Sequence, residues 1–287
     1  MRRARWALGG IGIALLAVGC AGLDVGNVIE GGMKLIQSGD DIKGAFTDID
    51  EPEEVELGRA VTAMIGSRYP LLRDEAVTRY VALVGNAVAL QSERPDMRFY
   101  FAVLDSPDLN AVAVSGGYIF VTRGALALMR DEATLAGVLG HEVGHIALRH
   151  HAKAIKAEKR KAALKTGAEV GASFTRASVL TPAIGLTIDG LGEAALKGFS
   201  REEEGESDVV GFRYAVAAGY DPAGLRDFLK TLQDRGAKET AVSNFMSTHP
   251  GTEERLKAQE ALVAKATTPG RRNQARFQQA LAPIQKR

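Results

Sequence analysis

His141-Glu142-Val143-Gly144-His145 is the segment best equipped for chemistry in this chain. Two histidines four apart on a helix share one face, about 6 Å apart along the axis. That spacing lets two imidazoles grip one zinc ion. Glu142, turned roughly 100° around the axis from His141, then stands beside the metal, placed to take a proton from zinc-bound water. Three fixed letters also arise by chance, but the surroundings argue otherwise. Leu135, Val138, Leu139, Val143, Ile146 and Leu148 make the segment strongly apolar. Two histidines and a glutamate in a buried helix need partners or a purpose.

A catalytic zinc takes three protein ligands and keeps one position open. Cys20 is the single cysteine, which excludes an intrachain disulfide and a thiolate zinc finger. The third ligand must be His, Asp or Glu. His150 and His151 point away from the His141/His145 face by helical arithmetic and read as surface or supporting residues. The acidic run Glu202-Glu203-Glu204-Gly205-Glu206-Ser207-Asp208 is the best source. Glu202 and Glu203 are explained by the helix dipole. Glu204 and Asp208 are four apart and share a face, so one can bind zinc while the other takes the free N–H of a ligand histidine.

The elements that must position these groups can be read around them. Asp131 caps a helix that starts near Glu132 and is expected to run past His151 toward Lys165. Gly137, Gly140 and Gly144 form a stripe beside the histidine face. Each glycine costs a helix about 1 kcal/mol relative to Ala, and a stripe without side chains admits a second element at close range. Upstream, two helices are expected, one ending near Tyr69-Pro70 and one over Val77–Leu90. Met97–Leu104 reads as a strand. Ala111–Val114, Ser115-Gly116-Gly117 and Tyr118–Thr122 read as a hairpin. Downstream, Ser200 with Glu203 makes a capping box for a helix that stops at Gly219. Asp221-Pro222 caps another, ending near Gly236, and Pro250 opens a last helix to about Ala264. Residues 166–198 read as broken helices or a mobile flap, too charged for a membrane span. The expected fold is α+β and mainly helical, with a small antiparallel sheet beside the histidine helix.

The chain has 287 residues, with 36 Lys plus Arg against 35 Asp plus Glu and only 6% aromatics. Neither an even charge balance nor scarce aromatics suits a nucleic-acid surface. Arg2, Arg3 and Arg5 precede an apolar run that ends at Cys20. This is the layout of a signal peptide over residues 1–19. Leu16-Ala17-Val18-Gly19-Cys20 resembles a bacterial lipobox, with Ala17 where Leu is usual, and implies lipidation of Cys20. Removal of residues 1–19 leaves a net charge of −2. Ala21 after the cysteine, in a Gram-negative cell, points to the outer membrane. Residues 20–50 read as a tether, 51–264 as the working domain and 265–287 as a basic tail, solvated or frayed.

Taken jointly, the motifs resemble the HtpX / CAAX-prenyl-protease / Oma family of zinc metalloendopeptidases. The matching text is Asn110-Ala111-Val112-Ala113 with Gly116-Gly117-Tyr118-Ile119, then His141–His145, then Ser200-Arg201 and Glu204–Asp208. It continues through Ala218–Pro222 and Ser247-Thr248-His249-Pro250 to Glu254-Arg255-Leu256. The resemblance implies a gluzincin-like fold with one zinc held by His141, His145 and Glu204. It implies Glu142 as general base, Asp208 orienting a ligand histidine, and His249 near the active site, in oxyanion stabilisation or gating. Asn110, Ala111, Val112 and Ala113 would form the edge strand that pairs with an extended peptide. Val112 replaces a common Phe, Ser115 a common Pro and Ser207 a common Ala; the first two bear on the shape of the cleft. The expected activity is zinc-dependent endoproteolysis of extended or misfolded polypeptides at a bacterial envelope membrane. A chaperone-like assembly factor with a latent zinc site and a cell-wall amidase are the rival readings.

Overall fold

The computed structural model describes residues 48–157, 160, 198–236 and 240–285. The expected signal peptide over residues 1–19, Cys20, all but the last residues of the expected tether, and the 166–197 segment lie outside the described residues. The chain folds in the order α1 (Glu51–Arg68), α2 (Glu75–Ala89), β1 (Tyr100–Leu104), β2 (Ala111–Val114), β3 (Tyr118–Thr122), α3 (Arg123–Leu128) and α4 (Glu132–Ala147). It continues with α5 (Arg201–Ala217), α6 (Gly224–Arg235), α7 (Thr240–Thr248), α8 (Thr252–Lys265) and α9 (Gln274–Gln285). No described helix is long and apolar enough to cross a membrane.

The sheet has the strand order β1-β3-β2, with β1 parallel to β3 and β2 antiparallel to it. It is therefore mixed, not the antiparallel sheet expected. The turn at Ser106–Asp108 sets β2 one strand-width away from β1, and the hairpin returns β3 into that gap. The hairpin turn needs left-handed backbone, supplied by Gly116 at φ 78° and Gly117 at φ 91°. Alternate residues of each strand go to opposite faces. Phe101, Val103, Ala111, Ala113, Ile119 and Val121 join the main core with α2 and α4. Leu104, Val114 and Phe120 pack instead on Leu57, Val61, Met64 and Ile65 of α1. The sheet is thus covered on both faces, and among the described residues no strand pairs with the outer edge of β2.

The histidine helix α4 lies in the middle of the molecule and is buried over its whole length from Glu132 to Ile146. Asp131 caps it, accepting from the Thr134 N–H at 2.8 Å. It ends at Ala147, with Leu148 as its cap, short of the continuous run toward Lys165 expected from the sequence. Arg149 takes up φ 59°, a left-handed break, and a helical segment resumes over residues 150–157. The glycine stripe does admit close neighbours. A Cβ on Gly140 would lie 2.7 Å from the Gly211 carbonyl oxygen of α5, and one on Gly137 would lie 2.4 Å from the Leu225 nitrogen of α6.

Through Gln285 the basic tail is not frayed. Phe277, Leu281 and Ile284 of α9 are spaced as one helical stripe and are buried in the main core. Two of its cations, Arg272 and Arg276, reach buried acids. Arg272 bonds to Asp131, Asp221 and Asp227 at 2.8–3.0 Å, and Arg276 and Asn273 bond to Glu132. The tail is a clamp on the N-terminus of α4, because that is where the buried acids are.

Candidate metal centre

His141 and His145 of α4 turn their Nε2 atoms toward each other, 3.0 Å apart. Glu204 projects from the first turn of α5, which crosses α4 at the glycine stripe. Its Oε2 lies 3.4 Å from His141 Nε2 and its Oε1 3.3 Å from His145 Nε2. Four ligands at about 2.0–2.1 Å around a tetrahedral zinc are roughly 3.3–3.4 Å from one another. The three residues present donors 3.0–3.4 Å apart, close to that separation. His249, directly after α7, completes a buried group whose ligand atoms all lie within 4.8 Å of one another.

Glu142 meets the same space from the side. It is buried, and its Oε2 has no hydrogen-bond partner among the described residues. A buried carboxylate oxygen without a partner carries a desolvation cost of about 1–3 kcal/mol or more. Its Oε1 lies 4.0 Å from His249 Nε2. Burial raises the Glu142 pKa above the ordinary carboxylate range, against the nearby histidines and the Ala113 amide. Two imidazole nitrogens and a carboxylate suit a borderline divalent cation such as zinc, with a second carboxylate left beside them to bind a proton.

The surrounding electrostatics are arranged in layers. Asp208, one turn beyond Glu204, accepts from His141 Nδ1 at 2.8 Å. It also takes both Nε and Nη2 of Arg255, each at 2.7 Å. Arg255 Nη1 reaches Glu204 as well. Arg255 is 5% exposed, so one buried guanidinium is shared between two buried carboxylates. Burial alone would raise the Glu204 carboxyl, but the histidines around it hold it far below the usual range. Burial and Arg255 push the His141 imidazolium down, yet Glu204 and Asp208 outweigh them and lift it to about 9. Burial drives His145 the other way, well below its ordinary value.

The sequence-predicted residues come together, with refinements. His141, His145, Glu204 and His249 form the cluster, with Glu142 and Asp208 against it. Ala111 and Ala113 lie on the outer edge of β2. The Ala111 carbonyl accepts from His249 Nε2 at 3.1 Å, and the Ala113 amide reaches Glu142. His249 Nδ1 lies 3.2 Å from Glu204 Oε2. Val112 is half-buried against the α1 side of the sheet. Asn110 turns its carbonyl toward β3, accepting from Thr122 N–H at 3.0 Å. Of the two readings of His150 and His151, as surface or as supporting residues, the surface one fails, and His150 does not point away from the site. Both are buried, and His150 Nδ1 lies 2.9 Å from His145 Nδ1. The break at Arg149 swings His150 back under His145. Arg255 has no role assigned by sequence reasoning, although it lies in the Glu254-Arg255-Leu256 motif.

Residues 75–263 match Peptidase family M48. The chain is 28% identical over 216 residues to the beta-barrel assembly-enhancing protease of Yersinia pestis, covering 74% of this chain and 44% of that one. It is 25% identical over 245 residues to Metalloprotease LoiP of Escherichia coli, covering 85% of this chain and 90% of LoiP. It is 28% identical over 198 residues to the mitochondrial metalloendopeptidase OMA1 of Schizosaccharomyces pombe, covering 66% of this chain and 54% of that one. The aligned part spans less than half the length of the beta-barrel assembly-enhancing proteases. A match that takes in α2, the sheet, α4, α5 and nearly all of α8 covers every group at the centre, and the chain belongs to peptidase family M48.

Proposed function

We propose that this protein is a zinc-dependent endopeptidase. In this reading His141, His145 and Glu204 hold one Zn2+, which supplies Lewis-acid activation of water and of the scissile carbonyl. The supporting observation is the set of three donors at zinc spacing beside the unpartnered oxygen of Glu142. Glu142 takes the proton of the attacking water and delivers it to the leaving amine. Its burial beside the donors, with one carboxylate oxygen unpartnered among the described residues, suits it to carry that proton between the two steps. Asp208 fixes His141 through Nδ1, and Arg255 fixes Asp208.

The outer edge of β2 suits an extended peptide, whose backbone would pair with Ala111 and Ala113. Strand pairing reads backbone more than sequence, which favours unfolded or misfolded polypeptide as substrate. His249 holds the Ala111 carbonyl and Glu204 together in this structure. A peptide that pairs at Ala111 needs that carbonyl, so His249 serves as a gate that must swing aside. The lipobox-like segment at Cys20 and relatives named for beta-barrel assembly support a lipid-anchored protein of the bacterial envelope, acting in protein quality control there.

The test is digestion of an unfolded protein such as casein, with and without a chelator, beside Glu142→Gln. Loss of the general base is expected to slow hydrolysis by at least about 10²–10⁴-fold while zinc stays bound. Chelation is expected to abolish hydrolysis, and added zinc to restore it. Suppression of aggregation that survives Glu142→Gln, with no hydrolysis by the wild type, would establish a chaperone-like factor instead. Cleavage of muropeptides but not of casein would establish a cell-wall amidase.

A further inference from the structure

His145 presents Nε2 to the metal centre, so its proton sits on Nδ1 and needs an acceptor. That acceptor is another histidine. His150 Nδ1 lies 2.9 Å away, and a ring that accepts at Nδ1 carries its own proton on Nε2. His150 Nε2 in turn lies 3.2 Å from Glu206 Oε2. His150 is wholly buried, whereas the Glu206 side chain is 50% exposed. The chain of donors therefore runs from the centre outward in one direction, from His145 Nδ1–H through His150 Nε2–H to the Glu206 carboxylate. Ser207 Oγ, 3.3 Å from His150 Nδ1, adds a hydroxyl to the same junction.

The backbone is shaped for this contact. On a continuous helix His150 would stand about 140° around the axis from His145. The left-handed Arg149 breaks α4 and sends His150 under the ligand ring instead. Glu206 and Ser207 come from α5, the helix that also carries Glu204.

The geometry points to His150 as a positioning residue for metal binding, acting with Glu206 to fix the tautomer and ring plane of His145. This inference rests on the zinc reading above. A histidine relay to a half-exposed carboxylate replaces, at His145, the buried carboxylate that serves His141. Outer partners of ligand histidines typically change metal affinity by about 10–100-fold when removed.

The experiment measures zinc affinity of the full chain by competition with a chromophoric chelator, for the wild type, His150→Ala, His150→Asn, Glu206→Gln and the double variant His150→Ala/Glu206→Gln. Asn can place Oδ1 where the imidazole has Nδ1 and still accept from His145. Expected are a loss of about 10–100-fold for His150→Ala, near-recovery in His150→Asn, a smaller loss in Glu206→Gln, and a double variant no weaker than His150→Ala. Thermal unfolding in excess chelator reports the fold separately. Unchanged affinity in His150→Ala, or a Glu206→Gln effect that adds in full to the His150→Ala loss, overturns the relay. Should His150→Ala fail to fold, His150→Asn and Glu206→Gln decide: wild-type affinity in Glu206→Gln overturns it. A wild-type chain with no zinc affinity overturns the metal reading and takes the relay with it.

Discussion

His141 and His145 sit one turn apart on the same helix and face the same point, yet what stands behind them differs. Behind His141 is a closed, charged stack. Asp208 accepts its Nδ1 proton at 2.8 Å, and Arg255 clamps Asp208 through two bonds while touching Glu204. Every member of that stack is buried. Behind His145 is a second ring, His150, linked to a carboxylate half in solvent, and the Phe199 ring stacks on His145 itself at 4.0 Å between centroids. A buried carboxylate with a fixed counter-ion makes its histidine a strong, rigid donor. A neutral imidazole holds orientation with less charge. One ligand is thus anchored by electrostatics and the other by ring packing and a relay. The anchored side should be the less forgiving of change.

The sharpest way to break that comparison is Arg255→Met. It keeps much of the side-chain volume but leaves Asp208 and Glu204 as buried acids without their cation. Removing one partner of a buried ion pair costs about 3–5 kcal/mol, and urea unfolding in the presence of chelator should read a loss of that order. A loss below about 1 kcal/mol would mean that the stack behaves as a surface pair and that the two sides are alike. Next in size is Asp208→Asn, which preserves shape and removes charge. Zinc affinity is expected to fall by about 10–100-fold, and by more than in Glu206→Gln. Equal losses in the two variants would erase the asymmetry.

Much of this arrangement is legible in the sequence because it is locally encoded. Asp131 announces the start of α4, the apolar spacing announces its burial, and Ser200 with Glu203 announces α5 and so places Glu204 in a first turn. The Gly137/Gly140/Gly144 stripe foretells a close neighbour, and α5 and α6 are the helices it admits. What escapes sequence reasoning depends on remote partners. The acids that receive Arg272 and Arg276 are Asp131, Glu132, Asp221 and Asp227, none near them in the chain, so α9 reads as a solvated tail. The parallel pairing of β1 with β3 is a choice of neighbour, on which the alternation within each strand is silent. Arg255 is one charge on an amphipathic helix until α8 lies against α5. His150 escapes because a non-glycine residue, Arg149, takes the left-handed turn, and nothing in Leu148-Arg149 signals it.

The smallest expected effect sharpens the comparison from the tolerant side. Phe199 stacks on His145 at 18° between ring planes and meets His151 edge-on at 4.6 Å. It is only half-buried, so Phe199→Leu can be absorbed without a large cavity. Aromatic pairs contribute about 0.5–1.5 kcal/mol beyond the area they bury, which corresponds to roughly a two- to tenfold change in zinc affinity. The ring restrains one rotation of His145, whereas the His150 relay also fixes its tautomer, so Phe199→Leu should cost less than His150→Ala. If chelator competition instead ranks Phe199→Leu level with Asp208→Asn, ring packing would be holding the metal as firmly as a buried charge. The two histidines would then be equally anchored by different means.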